Sequence, residues 1–221
     1  MEKIIRGLHA FQTTYFASNR EFFQGLAKGQ LPRALFITCS DSRIVPNLIT
    51  QTEPGELFIL RNAGNIIPPY GVWNGAEAAT VEYGIAALGI KQIIVCGHTH
   101  CGAMGGLLNP EKVQSMPAVA NWLKFAEATR QIVEKNYSDA TEEERLIAAI
   151  KENVLVQIQN LLTHPAVATA LFQEKLKIYA WVYEIESGNV YSYDMAENRF
   201  VLASIDHKPV PMDFHSKHIL T

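Results

Sequence analysis

Apolar residues recur at intervals of mostly three and four through the first 27 positions: Ile4, Ile5, Leu8, Phe11, Phe16, Phe22, Phe23 and Leu26. That spacing lines one face of an α-helix and predicts one or two amphipathic helices, closed off by Gly29 and Pro32. The pattern then changes. "ALFIT" (34–38), "LFIL" (57–60) and "QIIVC" (92–96) are short, unbroken apolar runs bounded by turn residues. Continuous rather than alternating apolarity suits strands buried on both faces of a parallel sheet. Between the second and third runs, "NGAEAATVEYGIAALG" is helix-forming and ends at Gly89, a residue suited to a C-cap. Strand, helix, strand is the crossover unit of a parallel α/β sheet.

Farther along, Thr141 and Glu144 have capping-box spacing ahead of a long helical pattern that stops before Pro165, and Pro165 is placed to open the next helix. "LKIYAWVYEIESGNVYSYDM" sets β-branched and aromatic residues on either side of a Ser-Gly-Asn turn, which predicts a hairpin with one strand joining the sheet edge. The last 25 residues, with Pro209 and Pro211, read as loop. The expected fold class is α/β: a mostly parallel central sheet flanked by helices, with an N-terminal helical arm and a C-terminal edge hairpin. No Pro/Gly/Ser-rich linker or shift of composition divides the chain, so 1–221 reads as a single domain. Within it the arm covers about 1–29, the α/β core about 30–195 and a tail about 196–221.

Composition narrows the classes of partner. At 48% hydrophobic, 19% charged and net charge −3, the chain has the profile of an ordinary globular protein and suggests no nucleic-acid partner. The opening "MEKIIRGLHAFQTTYF" is broken by charge, and no window reaches the roughly 18 apolar residues of a membrane span, so a cytoplasmic setting is expected. The three cysteines, Cys39, Cys96 and Cys101, cannot all pair, and a reducing compartment disfavours disulfides. Metal binding or nucleophilic chemistry is then the better explanation for some of them.

The first apolar run leads straight into "CSDSR", placing Cys39, Asp41 and Arg43 at alternate positions that would share one face of an extended segment. The third run ends at Cys96 and leads into "GHTHC". Both motifs therefore follow the C-terminal ends of parallel strands, where open α/β sheets place ligands. Two thiolates and an imidazole suit Zn²⁺, which in catalytic sites takes three protein ligands and keeps one position open. His98 and Cys101 stand three apart and can wrap a turn around one ion, so Cys39, His98 and Cys101 are the predicted ligands. His100 is adjacent to Cys101 and converges poorly with it; it is expected beside the ion rather than on it. Cys96, inside the apolar run, reads as a small buried hydrophobe. Two roles stay open for Asp41: closing the shell as a fourth ligand, or pairing with Arg43 and accepting a hydrogen bond from a metal-bound water.

"CSDSR" and "GHTHCGA", joined by "EPGELFILRNAGNIIPPYG", resemble the β-class carbonic anhydrases from about residue 3 to the "WVYEIESG" hairpin. The resemblance implies interconversion of CO₂ and bicarbonate by a zinc hydroxide. One Zn²⁺ per subunit would lie on Cys39, His98 and Cys101, with Asp41 and Arg43 as a catalytic dyad. It also implies a homodimer as the minimum unit, with tetramers and octamers among the assemblies open to it. Within the family, one kind holds the Asp on zinc and carries a Trp three positions before the first ligand Cys; Phe36 stands there, although Arg61 does match an arginine of that kind's non-catalytic bicarbonate pocket. The plant-like kind carries a Gln nine positions before that Cys, matched here by Gln30, and lines its substrate pocket at positions matched by Phe58 and Tyr83. The open form, with Asp41 on Arg43, is therefore expected. Gln30, Phe58, Tyr83 and the backbone N–H of Gly102 would contact CO₂ or bicarbonate, with Gln30 reaching in from either subunit. A His one helical turn after the Tyr, a proton shuttle in some plant-like members, is Ala87 here. Nothing selects a replacement among His9, His164, His207, His215 and His218. The nearest alternative chemistry is hydrolysis of carbonyl sulfide or carbon disulfide at the same site.

Overall fold

The computed structural model describes residues 1–214; His215 and His218 lie outside the described residues. The chain divides into two compact units, Met1–Leu31 and the remainder from Pro32. The first consists of α1 (Glu2–Ala10), a π-helical turn (Phe11–Phe16) and α2 (Arg20–Leu26). Its aromatic residues pack on one another: the Phe23 ring lies 5.7 Å from Phe11, 6.0 Å from Tyr15 and 5.2 Å from Phe16. None of the residues in these helices is buried.

The second unit is built on a six-stranded sheet ordered β2-β1-β3-β4-β5-β6. The strands are β1 (Ala34–Cys39), β2 (Leu57–Asn62), β3 (Gln92–His98), β4 (Lys177–Tyr183), β5 (Val190–Asp194) and β6 (Arg199–Leu202). The first four are parallel and the last two antiparallel. The unbroken apolar runs are explained by the two faces they supply. Leu35, Ile37, Ile93, Val95, Ile178 and Ala180 enter the main core, while Phe36, Ile94 and Cys96 are buried on the opposite face with Trp181 packed against them. Cys96 is fully buried, and burial pushes its thiol up to about 12.

The helices of this unit are α3 (Pro46–Thr50), α4 (Ala76–Glu82), α5 (Gly102–Leu108), α6 (Pro117–Leu123), α7 (Glu127–Asn136), α8 (Glu142–Leu162) and α9 (Pro165–Phe172). The predicted crossover is α4, extended by a π-helical turn and ended by Gly89 at φ +64°. The capping box forms: Thr141 Oγ1 accepts from the Glu144 N–H while the Thr141 N–H donates to the Glu144 carboxylate at 2.9 Å. α8 then packs across β3 and β4. Its approach requires Gly97, where a Cβ would sit 3.0 Å from Val154 and 3.2 Å from Ile150. Among the described residues, no helix is long and apolar enough to cross a membrane.

Two expectations are corrected. The stretch expected to be loop contains β6: Asp194 Oδ1 accepts the N–H groups of Ala196 and Glu197, closing a turn that lets "RFVL" pair with β5. Met212 also donates its N–H to the Ile178 carbonyl, and Met212 and Phe214 pack on the core. Second, "CSDSR" is not extended throughout. β1 ends at Cys39, and Asp41–Ile44 forms a turn closed by the Ile44 N–H on the Asp41 carbonyl at 3.0 Å. An Asx bond from the Arg43 N–H to Asp41 Oδ1 competes there with strand pairing.

Candidate metal centre

β1 and β3 are adjacent and parallel, so their C-terminal ends deliver Cys39 and His98 to the same end of the sheet. After His98 the chain turns sharply at His100, whose φ of +56° lies in the left-handed region, and returns Cys101 as the N-cap of α5. Cys39, His98 and Cys101 are all buried, and their ligand atoms lie within 4.8 Å of one another. The two sulfurs are 4.0 Å apart. Two Zn–S bonds of about 2.3 Å at a tetrahedral angle span roughly 3.8 Å, so the spacing suits that ion.

The imidazole supports the same conclusion. His98 is fully buried and its Nδ1 lies 2.8 Å from the Thr99 carbonyl, which requires the proton to sit on Nδ1. Nε2 is left with a free lone pair and no hydrogen-bond partner. A buried, orphaned acceptor costs free energy unless a cation occupies the space it faces. The two sulfurs form a hydrogen-bonded pair. A hydrogen bond with Cys101 holds the Cys39 thiol down to about 4 against the effect of burial, assisted by the Gly64 N–H. That same bond, together with burial, pushes the Cys101 thiol well up. The residues present therefore fit a thiophilic divalent ion.

Asp41 borders this cluster. Its Oδ2 lies 4.0 Å from His98 Nε2, which is no ion pair because that nitrogen carries no proton in this tautomer. The carboxylate is gripped by Arg43 instead: Nε donates to Oδ1 at 2.9 Å and Nη2 to Oδ2 at 2.7 Å. These bonds hold Asp41 well below the usual carboxylate range and raise the Arg43 guanidinium. Arg43 Nη2 is anchored in turn by the His100 carbonyl at 3.1 Å. His100 itself turns away from the cluster, with its ring on Glu186, whose other oxygen accepts from Thr99 Oγ1 at 2.8 Å.

The remaining predicted residues are the four expected to contact substrate. Gly102 opens α5 directly after Cys101. Phe58 and Tyr83 meet each other, with ring centroids 6.1 Å apart, but this chain does not bring them to the metal cluster. Phe58 pairs with Leu35, whereas Cys39 pairs with Asn62. At about 3.3 Å per residue, Phe58 sits roughly 13 Å back along the sheet from the level of Cys39. Gln30 is exposed within the Met1–Leu31 unit.

Several residues outside the predicted site set also position it. Arg61 donates to the Cys39 carbonyl at 3.1 Å and to the Asp41 carbonyl at 2.7 Å, fixing the turn between them. The loop after β2 approaches Cys39 through the Gly64 N–H, 3.4 Å from its sulfur. Three amides on α8, Asn153, Gln157 and Asn160, bond to that loop. Their helical spacing within an otherwise apolar face was the available signal.

Comparison with known proteins agrees with this geometry. The family model described as "Carbonic anhydrase" matches residues 34–190. A carbonic anhydrase of Synechococcus elongatus is 56% identical over 86% of this chain and 70% of its own length. One of Pseudomonas aeruginosa is 49% identical over 91% of both. The solved structure of the β-carbonic anhydrase CcaA superposes with a TM-score of 0.90 at 51% identity, covering 92% of this chain and 99% of that one. A family match spanning both ligand motifs, joined to a fold and a buried ligand cluster that agree with it, places this chain in the β-class carbonic anhydrases.

Proposed function

We propose that the chain catalyses the reversible hydration of CO₂ to bicarbonate and a proton, with Cys39, His98 and Cys101 holding one zinc ion. The observation that carries this reading is the Asp41–Arg43 pair: a carboxylate gripped at both oxygens by Arg43 borders the three-residue cluster without being part of it. Zinc bound there supplies Lewis-acid activation, bringing the ionisation of a water to about pH 7. Asp41, kept ionised by Arg43, can only accept hydrogen bonds. With zinc bound it would accept the hydrogen of the reacting water, so that a lone pair of that water would be free for carbon. Arg61 holds the Cys39 and Asp41 carbonyls, keeping ligand and carboxylate in fixed relation. Three free, buried cysteines and ligands that must stay reduced suit a cytoplasmic setting.

In this reading Gly102 N–H, Gln30, Phe58 and Tyr83 form the substrate pocket. Because Phe58 and Tyr83 stand far back along the sheet from Cys39 in their own chain, they serve a pocket only when a second copy supplies them. A homodimer is then the minimum unit, and a fungal relative in the fold, from Sordaria macrospora, is described as tetrameric. With Ala87 at the shuttle position, the proton leaves to buffer. His164 is buried against the Pro68 carbonyl and His207 faces Asp194, so each already has a partner. The test is stopped-flow CO₂ hydration beside zinc content and carbon disulfide turnover. CO₂ hydration proportional to zinc is expected; turnover of carbon disulfide alone would overturn the assignment of substrate.

A further inference from the structure

The proposed reaction makes no use of the buried amide ladder on α8, although that ladder is costly. Asn153 and Gln157 are 1% and 0% exposed, and buried amides destabilise a core unless each is satisfied. Here they are. Gln157 Nε2 donates to Asn153 Oδ1 at 2.9 Å, and Asn160 Nδ2 donates to Gln157 Oε1 at 3.1 Å. The groups left over all converge on one loop: Asn153 Nδ2 on the Gly64 carbonyl, Gln157 Oε1 on the Ile67 N–H and Asn160 Nδ2 on the Ile67 carbonyl, each at 2.9 Å. From another direction, Trp122 Nε1 on α6 donates to the Ala63 carbonyl at 2.8 Å.

The peptide held by Trp122 is the Ala63–Gly64 unit, whose other end is the N–H that points at the Cys39 sulfur at 3.4 Å. A hydrogen bond accepted by a peptide oxygen strengthens donation from that peptide's N–H. The orientation is not one the loop adopts freely. Gly64 sits at φ +82°, and a Cβ there would meet Ala103 and Met104 at 3.0 Å. An N–H donated to a thiolate withdraws charge from sulfur, which leaves a bound metal the stronger Lewis acid, and partners behind the ligands commonly set metal affinity.

We propose that Trp122 and Asn153 are positioning residues for the metal centre, clamping the peptides on either side of Gly64 so that its N–H donates to the Cys39 ligand. This rests on the reading of Cys39 as a metal ligand. The test uses the full chain loaded with Co²⁺, whose sulfur-to-metal absorption reports the charge on the thiolates, together with chelator competition for zinc. Trp122→Phe keeps a ring on a half-buried site and removes only the donor; Asn153→Leu keeps volume and removes the second clamp. Both should move the sulfur-to-cobalt band to longer wavelength and weaken zinc binding by about 10-fold or more. Ile178→Ala, a fully buried change on β4 opposite Ile93 and five residues back along the sheet from the level of His98, should lower thermal stability without moving the band. A band and zinc affinity unchanged in Trp122→Phe would overturn the proposal while leaving the metal site intact. A wild-type chain without a sulfur-to-cobalt band would instead overturn the ligand assignment and this proposal with it.

Discussion

The C-terminal ends of β1 and β3 and the helices of the Met1–Leu31 unit handle their side chains in opposite ways. At the strand ends, Cys39, His98 and Cys101 are all buried and their donor atoms converge on one small volume, with Asp41 held beside it by Arg43. In the helical unit nothing is buried, and Ile4, Ile5 and Leu8 remain 62%, 56% and 55% exposed on one apolar stripe. Geometry that must hold to tenths of an ångström is built on rigid strands inside a core that a single chain completes. An amphipathic helix, by contrast, carries half of an interface and no more. Under the proposed assembly the same division separates the metal, held by one chain, from the substrate pocket, shared by two.

The largest effect should come from the self-sufficient region. His98→Ala, Cys39→Ala or Cys101→Ala should reduce zinc from one per chain to near none and abolish CO₂ hydration, measured by metal analysis beside stopped-flow assay. Activity retained in a metal-free variant would remove the metal from the mechanism. Asp41→Asn is next: it keeps the shape, loses the charge that Arg43 grips, and should retain zinc while turnover falls by about 10²–10⁴-fold. Turnover near normal would reduce the pair to a structural feature.

The third test addresses the unfinished region. Ile4→Asp combined with Leu8→Asp should yield a smaller species by sedimentation and lower turnover, with zinc content unchanged. If size and turnover both hold, the apolar stripe has no part in assembly. The fourth is a pH test on the strand-end side. Asp41 is depressed in the folded chain, so its contribution to stability is fully present above the unfolded value of about 3.9 and is lost as pH falls below it. The melting difference between wild type and Asp41→Asn should therefore be constant from about pH 5 to 8 and shrink under acid; a difference that varies across neutral pH would contradict the pairing. Smallest, Thr141→Ala removes the cap of α8 and should cost about 1 kcal/mol, or about 2–4 °C in Tm. Zinc affinity should not change, since the cap lies at the far end of α8 from the amides that reach the loop.

What the chain's sequence makes legible is local. The three apolar runs, the cap at Thr141, the Pro165 start and the β4–β5 hairpin each depend on periodicity or on residues within a few positions. β6 was missed because its strand is only four residues long and its neighbours are Asp, Asn and Pro, which signal loop. The helices between Gly102 and Asn136 are short pieces with Pro110 and Pro117 among them, so no long period marks them. At the site, the cluster of Cys39, His98 and Cys101 followed from residue type and spacing, but the bend at Asp41 did not, because an Asx turn and an extended strand are both open to "CSDSR".

By itself, then, the sequence determined which donors stand at the ends of which strands and which faces those strands bury, since period and chemical type are properties of the chain alone. Only the tertiary structure decided that Asp41 meets Arg43 while bordering His98, that the free nitrogen of His98 is Nε2, and that Phe58 and Tyr83 lie far from the ligands of their own chain. It also decided that Trp122 and Asn153 converge on Gly64. Each of these is a distance or a hydrogen bond set by strand register, helix approach and the requirement that buried polar groups find partners, which no short window of sequence contains.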